Sequence, residues 1–555
     1  MRYLFLLSFL FSLFIVKGQE LKNIEELLKT VEAAKITFRQ NIKQHDDGLV
    51  EYHVVEVDSK GKEVESFFRF NFSDIDINTV RSITKKDVII VQLLIAGRQK
   101  LIQKIFDGGD KISYQSEINL LASNSENSNQ LVAAIKKHIP NAIKNDEKRL
   151  SLISYQEHLD WLLQNIGDVE LPKRQIIQQA SSNAIVGKLT LNQTFNNKSK
   201  TKNELRELNL STLNPNSVAY KISGDEFIIS ASLRRGINGM RYSEDGEQKN
   251  YQSDLKIYAS SITNGKDLYK VLKGIIPLAE IKFEQNKPNV QDEVSALLYV
   301  NKVIPEISYA EATITQNITV QGAMAQLKQT ESQPDKSTSF VYSFNFADVN
   351  ANNIDYNGQK DRLYAVLHIK KSINFIQQVK NGALENYTDE VKVYFSTIED
   401  AIIGVEALKT LATIYESKIA ENTYDGTAIN KAIEQLNRLM KKVTIEENTY
   451  DLFIELIDEK TSNLKVTSIF SNLKKSVETI QEFNLSDINP KNCSIQVKGK
   501  HIIAELNTRH LEKIVKTYVD GQIKPYQYKV QIEAKGIEEA REIILIFKTL
   551  AENSK

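Results

Sequence analysis

Apolar positions in this chain form a pattern that returns four times. Its first segment is a helical stripe. Ile24, Leu27, Leu28 and Val31 stand at i, i+3, i+4 and i+7, as do Leu159, Leu162, Leu163 and Ile166. Val294, Leu297 and Leu298 start the stripe again with Asn301 in the last place, and Ile429, Ala432, Ile433 and Leu436 complete the set. Successive copies begin 135 residues apart. The spacing puts these side chains on one helix face and predicts a leading helix in each copy.

The second segment is a strand that ends in a polar turn. Phe70-Asn71-Phe72-Ser73-Asp74 recurs as Leu208-Asn209-Leu210-Ser211-Thr212, Phe344-Asn345-Phe346-Ala347-Asp348 and Phe483-Asn484-Leu485-Ser486-Asp487. Alternating apolar residues predict a strand with one buried face, and Ser, Asp and Asn then turn the chain by bonding nearby amides. Asp74, Asp348 and Asp487 invite a catalytic reading. Thr212 stands in their place in the second copy, so a turn role is the expectation. The third segment is a hairpin. Gly109, Gly246, Gly382 and Gly521 each precede a tyrosine by five positions: Tyr114, Tyr251, Tyr387 and Tyr526. Asp245, Asn381 and Asp520 directly precede their glycines, which is a strong hairpin signal because both residues accept positive φ. The four tyrosines are the candidate binding surface; half-buried strand residues are the plainer expectation. The last segment is a closing helix, matched as Leu131, Ala134, Ile135 and His138; Leu268, Val271, Leu272 and Ile275; Ala401, Gly404, Val405 and Leu408; and Ala540, Ile543, Ile544 and Phe547.

These segments predict an α+β chain of four tandem repeats. Each is an antiparallel β-barrel or sandwich of about six to seven strands with a leading and a closing helix. The expected boundaries are 19–145, 150–285, 286–418 and 419–555. Each repeat is long enough to bury its own core, so the expectation is separate beads, with leading helices bridging them. In its order of elements each repeat is similar to the pleckstrin-homology superfold, with bent strands followed by a C-terminal helix. That resemblance implies an architecture and no function.

The N-terminus carries a different signal. Met1, Arg2 and Tyr3 precede an apolar run from Leu4 to Val16, then Lys17, Gly18 and Gln19. The run is shorter than the roughly 20 residues a spanning helix needs, so 1–18 reads as a signal peptide cut before Gln19. The chain is expected to be exported, to the periplasm or surface of a bacterium or outside a eukaryotic cell, with no integral membrane segment after cleavage. Lys plus Arg equals Asp plus Glu at 71 each, which argues against nucleic acid as a partner. Cys493 is the only cysteine, so an intramolecular disulfide is ruled out. It replaces Val80, Val218 or Ile354 in the repeat, which predicts a buried apolar position.

Chemistry is sparse. No two of the seven histidines have helical zinc spacing, and His45-Asp46-Asp47 reads as a solvated turn. There is no nucleophile elbow and no phosphate loop. No catalytic residue, metal site or cofactor is assigned. The function expected is that of an exported, noncatalytic binding or scaffold protein whose partner is another protein, a glycan or an envelope component. The alternative is an exported hydrolase with a carboxylate pair in one repeat or between repeats, since glycosidase acids carry no spacing signature.

Overall fold

The computed structural model describes residues 21–554 except 110, 198, 421–427 and 459; the expected signal peptide lies outside the described residues. Antiparallel sheets of six and three strands alternate along the chain, and four sets are present. The second repeat shows the plan. Val169–Leu171, Arg174–Ser181, Lys188–Asn197, Thr201–Asn209, Arg241–Glu244 and Glu247–Gln248 lie in that order across its larger sheet. Ala219–Ser223, Glu226–Ser232 and Asp254–Tyr258 form the smaller one. The chain leaves the large sheet after its fourth strand, builds a hairpin of the small sheet, returns for two strands and leaves again. Nine strands therefore stand where six or seven are expected. Strands as short as Val169–Leu171 and Glu247–Gln248 are too brief to show alternation in sequence.

The Asn-containing phrase is what switches the chain between sheets. Asn209, Asn345 and Asn484 each accept a hydrogen bond from the amide two residues on, which starts a short 3-10 turn. The turn ends in an isolated bridge to the small sheet, Ile75 to Ile95 and likewise Leu213 to Leu233, Val349 to Ile369 and Ile488 to Thr508. The hairpin signals also hold a strand in place. Asp245, Asn381 and Asp520 take positive φ, and their side-chain oxygens accept from the amides of Asn203, Ser339 and Glu478 on the neighbouring strand.

Buried glutamines fasten the two sheets of a repeat together. The Gln316 amide donates to the carbonyls of Ile304 and Tyr394, and its oxygen accepts from the Tyr394 amide and from Gln329. Gln329 in turn donates to the Lys392 carbonyl. Gln178 and Gln193 make the same set with Gly167, Tyr258 and Lys256, and Gln40 reaches Lys29 and Leu121 in the first repeat. In the fourth repeat the register of the second strand puts Leu452 at this place, where it joins the apolar core.

The caps correct the closing-helix match. Asn124, Ser261 and Gly536 are N-caps, and the Thr397 hydroxyl accepts from the Asp400 amide. Counted from these caps, Leu131 and Leu268 correspond to Gly404 and Ile543, one turn beyond the expected Ala401 and Ala540. The residue four past each cap is then small throughout: Ser128, Gly265, Ala401 and Ala540. A side chain on Gly265 would run into the Phe227 ring, so closeness to the sheet sets that preference. The leading helices do not bridge repeats. Each lies on the closing helix of its own repeat, as Asn127 to the Leu27 carbonyl, Asn264 to the Asn165 carbonyl, Tyr299 to Asp400 and Gln435 to Glu542 record.

Two compact units are present. One holds the first two repeats, to Lys287, with Gly358–Asp361; the other holds the third and fourth. The expectation of separate beads fails inside each unit. In the first, one buried cluster runs from Ile24 and Phe72 to Phe227 and Ala279, with Trp161 packed against it. In the second, Tyr387 of the third repeat is buried with Ile502, Ala540 and Ile544 of the fourth. Cys493 is buried and free, as its apolar counterparts imply.

Replacing Gln316 with Leu is expected to destabilise the second unit by about 1–3 kcal/mol, because Gln329 and strand backbone groups lose partners while buried. Urea unfolding of the variant should show a lower midpoint; an unchanged midpoint would mean that the Gln316 clamp is dispensable.

Candidate functional site

The turn that ends the fourth large-sheet strand is followed by polar contacts that cross from one repeat to the next. In the first unit Asp74 lies 2.6 Å from Lys266 on the closing helix of the second repeat, and Asn71 donates to Thr263 at 3.2 Å. In the second unit Asp348 lies 2.6 Å from Arg541 on the closing helix of the fourth repeat, and Asn345 donates to Glu538 at 3.2 Å. The acids expected to serve only as turn residues therefore also join repeats. Burial pushes the Asp74 carboxyl above its ordinary value even though Lys266 pulls it down, and Asp348 behaves alike beside Arg541.

The first unit extends this contact into a network. Asp146, near the end of the first closing helix, accepts from Arg149 at 2.9 Å and Lys270 at 3.0 Å and lies 3.6 Å from Lys266. Arg149 also donates to Asp267 at 2.7 Å. Burial works to raise the Asp146 carboxyl, but Lys266, Arg149 and Lys270 together outweigh it and hold the group at about 2.

Between the two repeats of this unit the surface opens into a cleft of about 620 Å³. Tyr114, Pro172 and Ile222 give it apolar walls; Lys100, Lys111, Lys173 and Asp225 carry its charge. The volume is within the range of roughly 300–1,000 Å³ that small-molecule sites occupy. A hollow of about 460 Å³ adjoins it, sharing Lys100 and Ile222 and reaching Tyr220 and Tyr269. The walls come from two hairpins of the second repeat and from the outer hairpin of the first, so neither repeat makes the cleft alone.

The four sequence-selected tyrosines have different fates. Tyr114 lines the cleft, its hydroxyl accepting from Gln103, and burial pushes it up to about 12. Tyr387 has the same glutamine partner, Gln377, and is buried in the seam of the second unit. Tyr251 is 7% exposed, and burial pushes its hydroxyl up to about 12. Tyr526 is 46% exposed on Gln522–Gln527, an outer strand of its large sheet. Sequence reasoning missed the lysines, which are separated by up to 73 positions and share no spacing. Lys173 recurs as Lys35 and Lys100 as Lys513, so their signal lies in the second seam, where Asn374, Ala383 and Glu447 stand at the three places.

Among the described residues, no group of three or more His, Cys, Asp and Glu side chains could hold a metal ion, and no helix is long and apolar enough to cross a membrane. His45 and Asp47 close a turn, the Leu49 amide donating to the Asp47 carboxylate. No protein-family model matches the chain, and no curated protein matches it.

Two tests bear on the seams. Arg541→Met is expected to cost the second unit about 1–3 kcal/mol by leaving Asp348 without its cation, and adding Asp348→Leu should restore most of the loss. Additive losses in denaturant unfolding would remove the pairing. The depressed Asp146 carboxyl contributes stability that is complete above its ordinary value of 3.8 and is lost as the pH falls to about 2. Asp74, Asp267, Lys266, Lys270 and Arg149 face it, so the reference is the Asp146→Asn variant. Across that window the native protein should lose more of its urea midpoint than the variant; parallel curves would show that Asp146 carries no such linkage.

Proposed function

We propose that this chain is an exported, noncatalytic binding protein built as a scaffold of paired repeats, with the cleft of the first unit as its ligand seat. The observation that carries the reading is the use made of the repeated acids. Asp74 and Asp348, the residues that would serve chemistry if the repeat itself were catalytic, are engaged with Lys266 and Arg541 in joining one repeat to the next. What is left to differ between units is a cleft wall, as expected of a protein that holds a partner on a rigid frame. The basic start and short apolar run before Gln19 support export to a periplasm or cell surface. The partner belongs to the classes met there: a protein, a glycan or an envelope component. The pleckstrin-homology-like reading of the repeat stays with this proposal as a description of element order, in which strands come first and a helix closes.

The test is a substrate screen together with capture. Purified chain is offered glycosidic, peptide and ester substrates, with and without divalent metals, and no turnover above buffer is expected. Immobilised chain should retain a component of its own envelope fraction that an unfolded control does not. Hydrolysis abolished by changing one Asp or Glu would replace the binding role with an enzymatic one.

A further inference from the structure

The two units contain the same seam, which allows a comparison within one molecule. The positions correspond by strand pairing. Leu101 and Phe375 each donate to the carbonyl two residues back, so Lys100 corresponds to Asn374. Lys111 accepts from the Phe106 amide as Ala383 pairs with Lys380, so Lys111 corresponds to Ala383. The tip between Leu171 and Arg174 matches that between Ile445 and Asn448, so Pro172 and Lys173 correspond to Glu446 and Glu447. The tip between Ser223 and Glu226 matches that between Lys498 and His501, so Asp225 corresponds to Lys500.

Docking of one repeat on the next therefore requires none of the three lysines. The second unit docks with Asn374, Ala383 and Glu447 in their places, and its Lys500 pairs with Glu446 across the two tips. In the second seam one cation and one acid thus offset each other. The first has three cations and one acid on its described cleft wall, beside the apolar faces of Tyr114, Pro172 and Ile222. Lys111 also lies along Phe106, 5.0 Å from the ring centroid. Concentrating like charges around a hollow is unfavourable by itself and is relieved when an anion enters.

We infer that the cleft of the first unit binds a small polyanion: a compact molecule with two or more phosphate, sulfate or carboxylate groups on a body that can lie against Tyr114 and Ile222. Lys100, Lys111 and Lys173 meet the charges. Lysine suits this role because its mobile ammonium follows an anion without demanding one bidentate geometry. The inference rests on the reading of this cleft as a ligand seat, and it names the class of ligand.

The experiment is calorimetric titration of the full chain with pyrophosphate, citrate and a disulfated disaccharide, with the unsulfated disaccharide alongside. The triple variant Lys100→Asn, Lys111→Ala, Lys173→Glu copies residues that the second seam already accommodates, and Lys111→Ala alone is a milder second variant. At least one anion should bind, and affinity should fall about tenfold on raising the salt from about 50 to about 300 mM. The triple variant should lose about tenfold or more in affinity, and Lys111→Ala a part of that, at unchanged melting temperature. The three anions show which acid group is preferred. No binding by any of them, or equal binding by the triple variant, overturns the inference. If the unsulfated sugar binds equally well and the variant abolishes it, the anion assignment falls and the binding role stands; turnover of a probe would instead remove the binding role.

Discussion

A carboxylate taken out of water needs a cation beside it, and that requirement shapes how these repeats combine. Asp74 and Asp348 are largely shielded from water where one repeat meets the next, and each is matched from the facing closing helix by Lys266 or Arg541. Apolar packing supplies the attraction between repeats, because Phe227 and Tyr114 in one unit and Ile502 and Tyr387 in the other sit in shared clusters. Such packing is tolerant of register. The ion pair is not, since a displaced helix would leave both charges desolvated and apart. The pair fixes the docking, and the docking makes the cleft.

Much of the repeat could be read in the sequence because its signals are local. The Asp-Gly and Asn-Gly turns, the polar turn that ends the fourth strand and the helical apolar stripes each concern residues within a few positions. What stayed hidden depends on distant partners. Gln178, Gln193, Gln316 and Gln329 look like polar residues on exposed strand faces, yet they are buried because two sheets converge on them. The closing helices were matched one turn early in two copies. Apolar spacing alone gives several registers when a helix is as rich in small and large apolar residues as Ile398–Ala420, and only the caps decide.

The site was less legible than the fold. Tyr114 was reached through its recurrence, but recurrence selected Tyr251, Tyr387 and Tyr526 equally, and burial separates them. The lysines were invisible for the opposite reason. A search for repeated residues finds what the architecture needs, whereas a ligand seat present in one unit is written in residues that differ between the two seams. Comparing Lys173 with Glu447, and Asp225 with Lys500, became meaningful once strand pairing had aligned the two seams.

The matched acid and cation also bear on how a chain of this kind could change length. The acid lies on the earlier repeat of a unit and the cation on the later one, so a gene that lost a single repeat would leave a buried charge without its mate. Duplication or loss of a whole two-repeat segment leaves every such charge matched. On this ground the heritable module is the double repeat, and lineages carrying it would be expected to differ by even numbers of copies.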